Sequence, residues 1–233
     1  MLPIFLNRSS EYCYIFNMKA HNTKRALDSR TAARKNEIAA AGLGLVEERG
    51  YAAVSASALS AQSGISESTI NYQFPTRAHL LVSILEYGDR KHAEDLIGKF
   101  DQNAIITPSD VIFDIAEGDV GHLETLKLFH YLLGEAVDNS HPAHTYIAAR
   151  HKSTVDLLAG LVRARQASGH AHPDLDPEIT ARQILASWIG LEALWLLDPS
   201  FDFADSVKRV VRQLTRQDAM EAKQAMEQLA ATF

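Results

Sequence analysis

The strongest constraint on what this chain can fold into is segment 54–74, VSASALSAQSGISESTINYQF, where each residue type suits two short helices joined by a tight turn. Ala58 and Leu59 fall inward on a first helix expected over 55–63. Gly64 can adopt left-handed backbone without a Cβ penalty, and Ile65 plugs the junction between the helices. Ser66 is placed to cap a second helix over 66–73 by accepting a backbone N–H bond. Ile70 and Phe74, four residues apart, hold that helix against a body and leave Glu67, Ser68, Asn71, Tyr72 and Gln73 facing outward. Pro75 ends it, and Thr76 then caps a longer helix carrying Leu80, Leu81, Ile84 and Leu85.

The same punctuation runs through the rest of the chain. A helix over 31–49 has Ile38, Ala41, Leu45 and Val46 at helical spacing and Gly50 where a C-terminal cap belongs. Gly42 and Gly44 inside it each cost roughly 1 kcal/mol of helix propensity, which predicts a close helix approach. Thr107-Pro108, Ser140-His141-Pro142 and Asp176-Pro177 each read as a cap followed by proline at a helix start. A Gly/Pro loop over 168–174 and the turn Asp198-Pro199-Ser200 separate further long helices. Nowhere do alternating residues and turn chemistry suggest paired strands, so the expected fold is all-α. Residues 1–30 lack periodicity and are expected to be a disordered basic extension, with Met18 a candidate translation start.

Composition excludes several classes. The single cysteine, Cys13, allows neither an internal disulfide nor a cysteine-based zinc site, and fits a reducing cytoplasm, the expected compartment. No apolar run reaches the roughly 20 residues of a membrane span, and no complete secretory signal is present, so no membrane partner is expected. The net charge of −6 divides unevenly, with +3 over 18–91 and −9 over 92–233. Lys19, Lys24, Arg25, Arg30, Arg34 and Lys35, opposed only by Asp28, make a basic arm that could touch phosphate or could be a solvated tail.

Gly50-Tyr51 to Val54, Gly64-Ile65-Ser66, and Thr69-Ile-Asn-Tyr-Gln-Phe-Pro-Thr-Arg77 with Leu80-Leu81 together resemble the DNA-binding domain of the TetR family of transcriptional regulators. The resemblance covers about residues 31–91. It implies an N-terminal three-helix helix-turn-helix domain, joined by a connecting helix to a larger helical ligand-binding and dimerisation domain over 92–233. It also implies a homodimeric repressor that inserts residues 66–73 into successive major grooves of a roughly palindromic operator and is released by a small-molecule effector. The expected DNA contacts are Ser55, Ser66, Glu67, Ser68, Thr69, Asn71, Tyr72, Gln73 and Arg77. This chain departs from the family's habits at Glu67, Asn71 and Gln73. Asn71 and Gln73 can each present a bidentate amide to adenine, or one can touch phosphate, while Tyr72 and Thr69 suit backbone or a thymine methyl. Glu67 either stabilises the helix dipole or accepts a bond from cytosine. Arg77 is a phosphate candidate.

Beyond His92 the resemblance is looser. His141-Pro-Ala-His-Thr-Tyr146 and Trp195-Leu-Leu-Asp-Pro-Ser-Phe201, followed by an amphipathic last helix, are similar to the C-terminal domain of one subgroup of these regulators. Ile184, Leu185, Trp188, Ile189, Leu191, Leu194 and Trp195, with Phe203, Val207, Val210, Val211 and Leu214, have the composition of a two-fold four-helix seam, or else of intramolecular core. The residues singled out for effector contact are Phe113, Phe129, His130, Tyr131, Tyr146, Arg150, Trp188 and Glu192. No catalytic constellation, metal site or cofactor is expected. His170, His172, Asp174 and Asp176 sit on a solvated loop without ligand spacing, and His141 and His144 suit capping. The alternative function is a helix-turn-helix protein without a small-molecule ligand, whose body is a protein-interaction platform.

Overall fold

A computed structural model describes residues 27–99 and 121–232. Among these residues there are helices and no strands. Cys13, Met18, Lys19, Lys24, Arg25, the Thr107-Pro108 cap and Phe113 lie outside the described residues. Contacts group the described residues into two compact units, 27–99 with 121–150, and 151–232.

The first unit begins with α1 (Leu27–Arg49), which starts four residues before the expected Thr31. A 3-10 turn (Tyr51–Ala53) leads into α2 (Ala56–Ser63), α3 (Glu67–Gln73) and the long α4 (Arg77–Lys99). α5 (Leu123–Glu135) packs against both α1 and α4. The core of this unit is the apolar stripe read from the sequence: Ile38, Leu45 and Val46 meet Leu59, Ile70, Leu81, Ile84 and Leu85, all essentially buried. Gly42 faces Ile84 of α4. A Cβ there would lie 2.6 Å from Ile84 Cγ1, so the lost helix propensity is offset by packing that no larger residue permits. Gly44 faces only Gln62, with ordinary spacing, and nothing in the structure requires glycine there.

α6 (Ala143–Ala167) follows a turn in which His141 supplies the cap expected of it: its Nδ1 accepts the Ala143 N–H at 3.2 Å. The Ser140 hydroxyl donates back to Asp138 at 2.8 Å. His144 Nδ1 lies 2.9 Å from the Ala136 carbonyl, so both histidines have local structural partners.

The second unit is built from the later part of α6 with α7 (Pro177–Leu197), α8 (Phe203–Leu214) and α9 (Gln217–Ala230). Asp176 caps α7 by accepting from the Glu178 and Ile179 N–H groups, with Pro177 at the first helical position. Leu158, Val162, Ala181, Ile184, Trp188, Phe203, Val207 and Val211 form its core, with Phe203 edge-on to Trp188 at 6.1 Å between ring centres. The single amphipathic last helix expected from the sequence is broken. Arg216 adopts φ 52°, the one non-glycine residue at positive φ among the described residues, and α9 departs from there. α9 buries no residue. Polar contacts hold it: Gln224 donates to the Gly169 carbonyl at 3.0 Å, and Arg212 binds Asp218 and Glu221.

Candidate nucleic-acid interface

The local chemistry of the helix-turn-helix is complete. Ser55 Oγ accepts the Ala58 N–H at 3.1 Å to open α2, and Gly64 closes it in left-handed conformation, φ 73°, its N–H bonded to the Ser60 carbonyl at 3.0 Å. Ser66 Oγ accepts the Thr69 N–H at 3.2 Å to open α3. The Thr69 and Ser68 hydroxyls also lie within 2.8 and 3.0 Å of Ser66 Oγ. Ser55, Ser66 and Thr69 therefore have structural duties in addition to any contact with a partner. A residue that sequence reasoning missed fastens the turn: Ser63 donates to the Leu59 carbonyl at 2.7 Å and accepts from the Ile65 N–H at 3.2 Å. Its hydroxyl lies one residue before Gly64, a position where serine commonly bonds back along its own helix, so the signal was present but unspecific.

Ile70 and Phe74 anchor α3 from below, both buried. The opposite face is polar and open. Glu67, Ser68, Asn71 and Tyr72 are exposed, Tyr72 to 82%, while Thr69 and Gln73 are half-buried. Glu67 occupies the first turn of α3, where a carboxylate complements the helix dipole. On α1, Arg30 and Lys35 are exposed, and Arg34 pairs with Glu37 at 2.7 Å.

Arg77, read from the sequence as a phosphate contact, turns back toward the protein. Its Nε donates to the Val54 carbonyl at 2.9 Å and an Nη donates to the Tyr51 carbonyl at 2.7 Å. These carbonyls open the 3-10 turn and follow its end, so the guanidinium ties the start of α4 to the entry of α2. Tyr51 in turn stacks on Tyr131 of α5, ring centres 4.8 Å apart and planes within 20°. Gly50, just before Tyr51, has φ 77°, and a Cβ there would sit 3.0 Å from Glu124 Oε2.

Of the residues expected to contact an effector, three meet in the first unit. Tyr146 and Arg150 of α6 both donate to Oδ2 of Asp89 on α4, Arg150 through Nε at 2.9 Å. The Arg150 guanidinium also lies over the Phe129 ring, 4.2 Å from its centre. Burial, then the Asp89 charge and its hydrogen bond, push the Tyr146 phenol far above the usual tyrosine range, so it stays a donor at every ordinary pH. His130 is edge-on to Phe129 at 5.2 Å, and Tyr131 faces the 3-10 turn instead. Trp188 and Glu192 are buried in the second unit. In the 168–174 loop His170 contacts Ser168 at 3.0 Å and His172 faces Asp174 at 3.7 Å; among the described residues no three His, Cys, Asp or Glu side chains converge as a metal would require. No helix among the described residues is long and apolar enough to cross a membrane.

Comparison with known proteins agrees with this geometry. Residues 38–84 match the family profile of bacterial regulatory proteins of the tetR family. No curated protein sequence matches the chain. Among solved structures, a protein from Rhodococcus sp. described as a TetR-family transcriptional regulator is similar at TM-score 0.61 and 20% identity, covering 79% of this chain and 98% of its own. SmeT, the repressor of the Stenotrophomonas maltophilia multidrug efflux pump SmeDEF, is similar at TM-score 0.55 and 18% identity, covering 79% and 89%. Thermus thermophilus FadR, a TetR-family repressor in complex with lauroyl-CoA, is similar at TM-score 0.56 and 18% identity, covering 78% and 93%. The all-helical fold is therefore shared with proteins whose sequences have drifted far from this one, and the segment over 38–84, which holds the helix-turn-helix caps, turn and anchors described above, is of the tetR-family type of bacterial regulatory proteins.

Proposed function

We propose that this protein is a homodimeric transcriptional repressor that reads a roughly palindromic operator with α3 and leaves it when a small-molecule effector binds the helical body. The observation that carries the reading is the exposed polar face of α3, Glu67, Ser68, Asn71 and Tyr72, standing on the buried anchors Ile70 and Phe74. Asn71 and Gln73 read base edges; Tyr72 and the hydroxyls of Ser55, Ser66, Ser68 and Thr69 grip backbone or a thymine methyl. Glu67 acts on the helix dipole. Residues 31–91 make the DNA-binding domain and 92–233 the sensing and dimerising domain.

Dimerisation is supported by α7. Ile179, Gln183, Ala186, Gly190, Leu194 and Leu197 share one face of this helix, all exposed, with Leu197 at 84% and open space around Gly190. An apolar stripe with small residues at its centre suits a second copy of the same helix. Two recognition helices related by such an axis would address half-sites roughly 34–36 Å apart. Effector release is supported by the relatives: SmeT is named as a repressor, and FadR was solved with lauroyl-CoA bound.

The test is selection of bound duplexes from a random DNA pool, followed by light scattering of the free protein. An inverted repeat and a dimer are expected. Selection of no sequence, or a monomer at micromolar concentration, refutes the reading.

A further inference from the structure

Three residues expected to meet an effector already hold a carboxylate that the protein supplies itself. Tyr146 Oη and Arg150 Nε converge on one oxygen of Asp89, and the Phe129 face backs the guanidinium. A phenol donor, a guanidinium and an aromatic wall make a receptor for an organic acid. The occupant belongs to α4, the helix that begins at Arg77 immediately after the recognition helix. We propose that the effector is an organic carboxylic acid, whose carboxylate replaces that of Asp89 on Tyr146 and Arg150, and that the expelled Asp89 forces α4 to shift. This rests on the effector-responsive reading above.

The energetics favour an acid over a neutral ligand. Exchanging one carboxylate for another at the same two donors nearly conserves the charged hydrogen bonds. A neutral ligand would break the Arg150–Asp89 pair without returning a negative charge to the guanidinium. The Asp89 side chain is only 14% exposed, so once displaced it must reach water or another cation. Its neighbour Arg90 is already committed to Glu86 at 3.3 Å and Asn36 at 2.9 Å. Rotation or translation of α4 would hydrate it. Because Arg77 ties the start of α4 to the Tyr51 and Val54 carbonyls, that motion reaches the helix-turn-helix directly.

The experiment titrates benzoate, phenylacetate and octanoate, each against its neutral amide, into the full-length protein by calorimetry. Asp89→Asn removes the internal competitor and is expected to raise carboxylate affinity at least about tenfold, leaving the amides unchanged. Arg150→Gln added to it is expected to abolish the gain. Should either variant fold poorly, Tyr146→Phe serves instead and is expected to weaken the carboxylates by about tenfold. Equal affinity in wild type and Asp89→Asn, persistence of binding in Arg150→Gln, or no carboxylate binding to Asp89→Asn overturns the proposal. If neutral compounds release the selected DNA and carboxylates do not, the organic-acid inference fails and the ligand-released repressor stands. If no DNA is bound but Asp89→Asn captures carboxylates through Arg150, the inference holds and the repressor reading fails.

Discussion

Arg77 donates to the carbonyl of Val54 at 2.9 Å, spanning 23 residues and joining the first turn of α4 to the entry of the helix-turn-helix. Arg77→Ala should therefore lower stability by about 1–2 kcal/mol, measured by chemical denaturation, and weaken DNA binding because α3 is no longer held at its angle. The salt dependence separates this from a phosphate contact. An unchanged slope of affinity against salt supports the tie; a slope reduced by about one unit assigns Arg77 to a phosphate instead.

Gly42→Ala should destabilise by about 1–3 kcal/mol despite the better helix propensity of alanine, because the new methyl overlaps Ile84. Ile84→Val in the same chain should recover part of the loss. A stabilised single variant in a thermal melt would show that α1 and α4 are looser than described.

Asn71→Ala should relax base preference at one position in each half-site, at a cost of about 1–3 kcal/mol on the preferred operator. Binding selection with the variant provides the measurement. An unchanged base profile would remove Asn71 from readout and leave it as a surface residue.

Tyr146 links stability to alkaline pH. In the unfolded chain its phenol ionises near pH 10, whereas in the folded state burial and Asp89 keep it protonated well above that. The unfolded state thus binds fewer protons above about pH 10, so folding stability contributed by this group is complete below that pH and declines as pH rises, by up to about 1.4 kcal/mol per unit. Tyr146→Phe should be less stable at neutral pH and should lack this share of the alkaline decline. Parallel stability curves for the two proteins from pH 9 to 11 would contradict it.

Leu194→Glu places a carboxylate near the C-terminal end of the exposed α7 face and should yield a folded monomer with sharply reduced operator affinity. Sedimentation distinguishes the outcomes, and a dimer that persists would move the interface elsewhere.

The helix-turn-helix could be read from the sequence because its determinants are local. Ser55, Gly64 and Ser66 act within three or four residues of themselves, and Ile70 with Phe74 repeats at helical spacing. The clasp on Asp89 could not be read in the same way. Its partners lie 57 and 61 residues away, and nothing in the surroundings of Asp89 in sequence distinguishes it from a solvated helix carboxylate. The tie made by Arg77 was equally hidden, because its two acceptors are backbone carbonyls, which carry no sequence signal. Likewise the break at Arg216 uses a residue with no turn propensity. Which apolar residues would be buried was decided by periodicity, but which polar side chains would meet was decided by tertiary geometry.

The stack of Tyr51 on Tyr131 bears on how such a regulator can be recombined. Residues 27–99 alone are not a portable cassette, since excision would strip Tyr51 of its facing ring and Asp89 of both its donors. A chimera that exchanges DNA specificity while keeping another sensor has to carry 121–150 along, or to transplant only the outward side chains of α3 and leave every buried contact in its original host.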